Sequence, residues 1–137
     1  MSKLLTRITK KARVYKDFDL RFTKNPLTDD VASVLDEEAV KASVRNIVSF
    51  SRGEKSFKPA FGGDTYALLF ENWNPLTMTA FAMNIKDEIA KHEPRAQDVE
   101  VEMVDRSDVN AIEITVFFRV ANINEPLTVT QFLYRTR

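Results

Sequence analysis

Cysteine is absent from the 137-residue sequence, and histidine and glycine are scarce, with one and three residues respectively. Without cysteine there are no disulfides and no thiolate ligands for a metal. One histidine, His92, rules out metal sites built from several imidazoles and leaves a Ser-His-Asp triad with a single candidate base. No apolar run approaches the roughly 20 residues of a membrane-spanning helix. We therefore expect a protein without a metal, cofactor or membrane partner.

Charge is balanced over the whole sequence but unevenly distributed along it. Residues 1–24 hold eight Lys/Arg against two Asp, a charge of +6, whereas the remaining residues hold 12 basic and 18 acidic side chains. Such a basic segment could be a nucleic-acid arm, a transit peptide, an extension that orders on an acidic partner surface, or a solvated tail. We interpret residues 1–14 as a basic extended arm and residues 15–137 as a single domain. Because the body of the domain is acidic, we expect no broad nucleic-acid-binding face.

Two stretches have the spacing of apolar residues that is typical of amphipathic helices. The first is predicted over residues 37–50, with Asp36 as its N-cap and Gly53 in the turn that ends it. The second is predicted to begin at Thr77, after a break at Asn74-Pro75, and to end before Pro94, which cannot continue a helix. A short helix capped by Asp64 is expected between them, through Phe70. One short strand is also predicted over residues 31–35, before the first helix.

From Val99 the period of the apolar residues changes from 3.6 to 2, which indicates strands. The clearest strand is predicted over residues 112–120. A weaker one precedes it from residue 99, and another follows over residues 127–134, although its buried face is not evident. Helices followed by a meander indicate an α+β fold, with two main helices packed on a small C-terminal antiparallel sheet and a basic extended N-terminal arm.

Acidic residues are the remaining candidates for chemistry, because glycoside hydrolysis uses a pair of carboxylates. The candidates by residue type are Asp64, Glu71, Asp87, Glu88 and Glu93. The sequence pairs none of them with another. His92-Glu93 could be a base with its orienting group, although a histidine is also favoured at a helix C-terminus by the helix dipole. Two aromatic residues in the loop between the helices, Phe57 and Phe61, are expected to pack back onto the domain.

Three short motifs follow one another within residues 61–95. They are Phe61-Gly62, Leu69-Phe70-Glu71 and Glu93-Pro94-Arg95. In this order, with a helix before them and strands after, the sequence resembles the phage baseplate wedge proteins of the gene-product-twenty-five type. The baseplate-like subunit of type VI secretion systems belongs to the same group. Ala60 departs from the family, many members of which have an acid there.

The resemblance implies a structural role and no reaction. Members of the family sit in a six-fold tail baseplate, in the virion, after assembly in the host cytoplasm. The implied partners are the core bundle of other wedge proteins, the first ring of the sheath protein and the tail tube. The implied contact residues are the eight of the three motifs, and a sheath strand would add to an open edge of the sheet. A tailocin or type VI subunit, a lysozyme-like glycan hydrolase and a nucleic-acid-binding protein are the alternatives.

Overall fold

The computed structural model describes residues 16–19, 22–121, 123 and 125–135. The predicted basic arm, residues 1–14, therefore lies outside the described residues. The elements are β1 (Lys16–Phe18), β2 (Ser33–Leu35), α1 (Asp36–Ser49), a 3-10 helix (Thr65–Phe70), α2 (Pro75–His92), β3 (Ala96–Arg106), a 3-10 turn (Ser107–Val109), β4 (Ala111–Val120) and β5 (Leu127–Tyr134). This arrangement confirms the α+β prediction, with β2 as the short strand expected before the first helix. No described helix combines the length and the apolar character needed to cross a bilayer.

Helix α1 forms where its periodicity predicts it. Asp36, Glu37 and Glu38 occupy its first turn, where negative charge is favoured by the helix dipole. Its apolar stripe is buried and consists of Ala39, Val40, Val44, Ile47 and Val48. The helix ends at Ser49, and Gly53 adopts a positive φ of 89° in the turn that follows. A hydrogen bond from the Gly53 N–H to the Pro59 carbonyl closes the loop between these two residues.

Helix α2 begins two residues earlier than predicted. Asn74-Pro75, predicted to be a break before the helix, instead forms its N-terminus. The Asn74 side chain accepts a hydrogen bond from the Thr77 N–H at 2.9 Å, and Pro75 is the first helical residue. Proline is tolerated there since the N–H it lacks would have had no partner within the helix. A second difference concerns Asp64, which precedes the 3-10 helix in the left-handed conformation and makes no side-chain cap.

The C-terminal sheet is an antiparallel meander with the order β3-β4-β5. Its register runs without a shift from the Glu100–Phe117 pair to the Arg106–Ala111 pair, after a bulge between Gln97 and Glu100. Asp98 lies in that bulge with a positive φ of 50°. Strand β4 lies between the other two, so β3 and β5 are the edge strands among the described residues.

One face of this sheet carries the core, because α1 packs on β5 and α2 packs on β3. The buried face of β5, which the sequence does not reveal, is the one with Leu127, Val129 and Leu133. The centre of the core consists of fully buried side chains from α1, the 3-10 helix, α2 and β4, among them Val44, Ile47, Leu68, Ile85, Ile89, Ile112, Ile114 and Phe118. Each buried side chain of this size contributes about 1.5–3 kcal/mol relative to exposure.

Candidate functional site

The Glu93-Pro94-Arg95 motif forms the tight turn between α2 and β3. The Glu93 N–H closes the last turn of α2 on Ile89 O at 2.7 Å, and the Ala96 N–H bonds back to Glu93 O at 3.0 Å. Pro94 is therefore the second residue of a β-turn, a position its fixed φ suits. Pro94 is exposed at the surface. The turn thus fixes the direction in which the chain leaves the helix.

The two charged side chains of this turn bind each other. The Glu93 carboxylate is 3% exposed, and its two oxygens each accept a hydrogen bond of 2.5 Å from Nε and Nη2 of Arg95. Burial raises the pKa of Glu93, but hydrogen bonds from Arg95 and Ser43 and the Arg95 charge outweigh it and hold the pKa below its ordinary value. The ion pair is intramolecular, although the Arg95 side chain remains 27% exposed.

His92, in the last turn of α2, packs against Phe61 and Glu88. Its ring lies 4.9 Å from the Phe61 ring, centroid to centroid. Its Nε2 is 3.2 Å from an oxygen of the buried Glu88 carboxylate. The other Glu88 oxygen lies 3.6 Å from Arg52 and 3.8 Å from Lys91. The His92-Glu93 pair is thus divided, because the histidine is next to Glu88 and the glutamate is bound to Arg95.

The Phe61-Gly62 motif holds the long loop against the ends of both helices. Phe61 is 9% exposed, as predicted. A Cβ on Gly62 would lie 2.3 Å from the Phe50 carbonyl oxygen, and its φ is 123°, so only glycine fits there. The next residue, Gly63, donates to Ile47 O of α1 at 2.9 Å and accepts from the Asn84 side chain of α2 at 3.1 Å.

Leu69-Phe70-Glu71 lies at the end of the 3-10 helix, on a different set of elements. Leu69 is buried, and its carbonyl accepts hydrogen bonds from the guanidinium of Arg135, which follows β5. The Arg135 guanidinium also lies 5.0 Å from the centre of the Trp73 ring. In contrast, Phe70 is 88% exposed and Glu71 is exposed.

The eight candidate contact residues therefore form two groups. Phe61 contacts His92 at the C-terminal end of α2, next to the Glu93-Pro94-Arg95 turn, and Gly62 lies against the Phe50 backbone after α1. Leu69-Phe70-Glu71 is joined instead to the end of β5. Gly62, Leu69 and Glu93 are buried and support the fold directly, while Pro94 and Phe70 present surface that another chain could contact. Binding of a partner by any of the eight stays a prediction.

Three carboxylates on β3 are a further feature that the motifs did not single out. Glu100, Glu102 and Asp105 are exposed, and none has an ion pair with another residue in the described part of the chain. The alternation of glutamate with Val99, Val101 and Met103 was visible in the sequence. The predicted meander places this strand at an edge of the sheet, and the structure adds the register that sets Glu100 and Glu102 on the face away from the helices.

The long loop also departs from its predicted packing. Phe57 is fully exposed with a positive φ of 68°, whereas Phe61 packs on the domain as expected. Lys55 lies over the Phe61 ring, 4.0 Å from its centre. No group of three metal-binding side chains occurs among the residues that the structure describes.

Comparison with known proteins gives consistent results from sequence and from structure. The family model described as baseplate wedge protein gp25 matches residues 34–125. The baseplate wedge protein gp25 of Enterobacteria phage T4 is 30% identical over 108 residues, which cover 79% of this chain and 81% of that protein.

Three solved structures have the same fold. A Geobacter sulfurreducens protein named as a candidate tail lysozyme superimposes with a TM-score of 0.67 and 26% identity, covering 77% of this chain and 98% of that one. A chain of the anti-feeding prophage baseplate superimposes with a TM-score of 0.69 and 24% identity, and the match covers 82% of this chain and 90% of that one. A chain of the type VI secretion system baseplate complex superimposes with a TM-score of 0.60 and 17% identity, and the match covers 73% of this chain and 93% of that one.

Proposed function

This chain belongs to the baseplate wedge protein gp25 family, and we propose that it is a structural subunit of a contractile phage tail that joins the wedge to the tube and sheath. In this role it is present in several copies in a six-fold baseplate of the virion, after assembly in the host cytoplasm. The equivalent subunit of a tailocin or a type VI secretion system is the alternative setting.

The observation that carries this proposal is the three-stranded sheet, on one face of which both α1 and α2 pack. Within the described residues, no strand pairs with the outer edge of β3 or of β5. An edge strand presents unpaired N–H and C=O groups, to which an extended segment of another protein can add as a further strand. A strand from the first sheath ring, added there, would make this chain the template on which the sheath begins.

The turn after α2 is the proposed contact with the core bundle of the larger wedge proteins. Its support is local rigidity: Pro94 is exposed, and the Glu93–Arg95 pair holds the turn on either side of it. Rigid surface loses little conformational entropy when a partner binds. Phe70 is a second proposed contact, because its aromatic side chain is 88% exposed and a partner chain that covered it would bury a large apolar area.

Site-specific cross-linking tests these assignments, since the chain has no native cysteine to react. Single cysteines at Val104 on β3, Thr130 on β5 and Lys91 in the last turn of α2 would each carry a maleimide photocross-linker during baseplate and sheath assembly. We expect the sheath protein to be captured from at least one of the two strands and a wedge protein from residue 91. The matched control is Ala80→Cys, exposed in the first half of α2.

The outcome that would contradict strand addition is assembly that proceeds normally with no sheath cross-link from either strand. If the wedge protein were captured from residue 80 and never from residue 91, the proposed contact at the α2 turn would be wrong. Mass spectrometry of the cross-linked peptides identifies the partner and the segment in each case.

A further inference from the structure

The two edges of the sheet differ in charge, and this difference constrains which strand each can accept. Strand β5, Leu127–Tyr134, contains no charged residue. Strand β3, Ala96–Arg106, contains four acidic residues and one arginine. That arginine, Arg106, is already paired with Glu113 at 2.7 Å. Negative charge is therefore concentrated on one edge.

The register of β3 against β4 shows on which face of the sheet each β3 side chain lies, and so which side chains would neighbour those of an added strand on that face. Glu100 and Glu102 are opposite Phe117 and Thr115 of β4, on the face away from the helices. Val101 is opposite the buried Val116 and points to the helix face. Successive residues of a strand alternate between faces, so acidic and apolar positions alternate from Val99 to Met103, after which Val104 lies on the face of the two glutamates and Asp105 on the helix face.

The apolar positions on the helix face are incompletely covered. Val101 and Met103 are half-buried, whereas their β4 partners, Val116 and Ile114, are at most 1% exposed. Both half-buried side chains pack against the hydrophobic core. Apolar residues on a neighbouring strand would complete their burial. From Glu100 onward the ladder with β4 is regular, which gives an uninterrupted edge of seven residues, 100–106.

The charges also exclude one occupant. Pairing of two β3 strands from two copies would place like charges close together, which destabilises a sheet. Charged side chains on an edge strand act in this way against self-association. An incoming strand with lysine or arginine opposite Glu100 and Glu102 would instead form favourable cross-strand pairs.

We infer that the β3 edge accepts a strand of another protein in which basic residues alternate with apolar ones, the basic side chains facing Glu100 and Glu102 and the apolar ones covering Val101 and Met103. This inference rests on the proposed function, since it specifies the chemistry of the strand that adds to the sheet. The acidic edge, β3, would select a basic partner segment, whereas the uncharged edge, β5, would not distinguish strands by charge.

A nuclear magnetic resonance titration of the full chain tests the inference with three synthetic peptides of equal length. Lysine alternates with valine in the first, and glutamate or glutamine replaces lysine in the other two. We expect the lysine peptide to shift the amide signals of residues 100–106 and to bind roughly tenfold more tightly than the glutamate peptide at low salt. The preference should decline as salt rises, because these charges are exposed.

A charge-reversal pair supplies the matched control. In the double variant Glu100→Lys and Glu102→Lys, the preference should invert in favour of the glutamate peptide. Thr128→Lys and Thr130→Lys place the same two charges on the same face of the other edge strand. That variant should keep the preference of the native chain.

Three results would overturn the inference, and each bears differently on strand addition. Equal binding of all three peptides at residues 100–106 would mean that β3 accepts a strand but does not select it by charge. Shifts confined to residues 127–134 would move the accepting edge to β5. If no peptide shifted any amide signal, β3 would not accept a strand. The cross-linking experiment would then still decide whether the sheath contacts this subunit.

The basic N-terminal segment of the chain is a competing occupant, and a variant of the full chain tests it. Lys10→Gln, Lys11→Gln and Arg13→Gln together remove half of the basic charge in residues 1–16. Unchanged affinity for the lysine peptide supports a partner strand from another protein. A clear gain in affinity would mean that the chain's own segment occupies the edge, which would overturn the inference.

Discussion

At the scale of single residues, the sequence does not show whether Glu93 and Arg95 bind each other or a partner. An arginine beside an exposed proline could equally bind a partner carboxylate or its own chain. The fold turns both side chains toward each other, and the carboxylate is buried with two short hydrogen bonds from the guanidinium. A buried carboxylate without such a partner would be costly, so the pair supports the turn itself.

Replacement of Glu93 by glutamine should destabilise the protein in a pH-dependent way. Because the pKa of Glu93 is lowered in the folded state, the ionised carboxylate stabilises the fold above its unfolded pKa, near 4.5, and this contribution is lost as pH falls through the lower folded pKa. We expect Glu93→Gln to reduce the free energy of unfolding by about 1–3 kcal/mol at pH 7, with a smaller difference from the native chain below pH 4.5.

Urea denaturation at pH 7, 5, 4 and 3.5 measures this effect. The control is Glu71→Gln, an exposed carboxylate of the neighbouring motif, which should change the free energy of unfolding little at any of these pH values. An equal loss of stability for Glu93→Gln at pH 7 and pH 3.5 would mean that the Glu93 charge does not hold the turn.

At the scale of the elements, the decisive contact is the close approach of the Gly62–Gly63 segment to the end of α1. Hydrogen bonds from this segment reach both α1 and α2, and Thr65 adds a buried one to the Val48 carbonyl at 2.7 Å. The loop therefore fixes the two helices relative to each other, and through His92 and Phe61 it reaches the α2 turn.

The two glycines with positive φ provide a matched pair for testing this contact. Gly62→Ala would bring a Cβ to 2.3 Å from the Phe50 carbonyl oxygen, whereas nothing lies within 4 Å of the corresponding atom at Gly53. Both changes introduce backbone strain of about 1 kcal/mol. We expect Gly62→Ala to cost at least about 2 kcal/mol more than Gly53→Ala, because backbone must move. Thermal and urea unfolding of the two variants compare them directly, and equal losses would contradict the close approach.

At the scale of the whole molecule, no hydrogen bond joins any two of the five candidate acids, all of which the structure describes, and their surroundings differ. Glu93 is held by Arg95, which lowers its pKa, while the general acid of a glycosidase needs a raised one. Glu71 is exposed, and Glu88 lies among Arg52, Lys91 and His92. The T4 relative carries the name of a structural protein, and the lysozyme name belongs to a structural neighbour.

We therefore expect the purified protein to release no glycan fragments from bacterial cell walls. Turbidity clearing and chromatography of soluble fragments measure this, with hen lysozyme as the positive control. Activity that disappeared on Glu71→Gln or Glu93→Gln, in protein that remained folded, would contradict the structural assignment and favour a hydrolase.

The sequence by itself determined the kinds of elements and most of their positions. Helix α1 and strand β4 occur where periodicity predicted them, because burial of one face imposes a period of 3.6 or 2 on any sequence that forms these elements. Strand β5 occurs where its content of Thr, Val, Phe and Tyr predicted it. The start of α2 was misplaced because Asn74-Pro75 is compatible with either a break or a capped first turn. Local residue patterns also carried the family resemblance.

Only the tertiary structure decided which residues meet. The Arg135 contact with Leu69 spans 66 positions, and the division of the candidate residues between the α2 turn and the end of β5 has no local signal. The predicted meander already placed the acidic strand at an edge, but the sequence could not give its register against β4 or the bulge between Gln97 and Glu100, since both depend on pairing across the chain. Contacts of this kind arise from packing and register between distant segments, which the periodicity of each segment leaves undetermined.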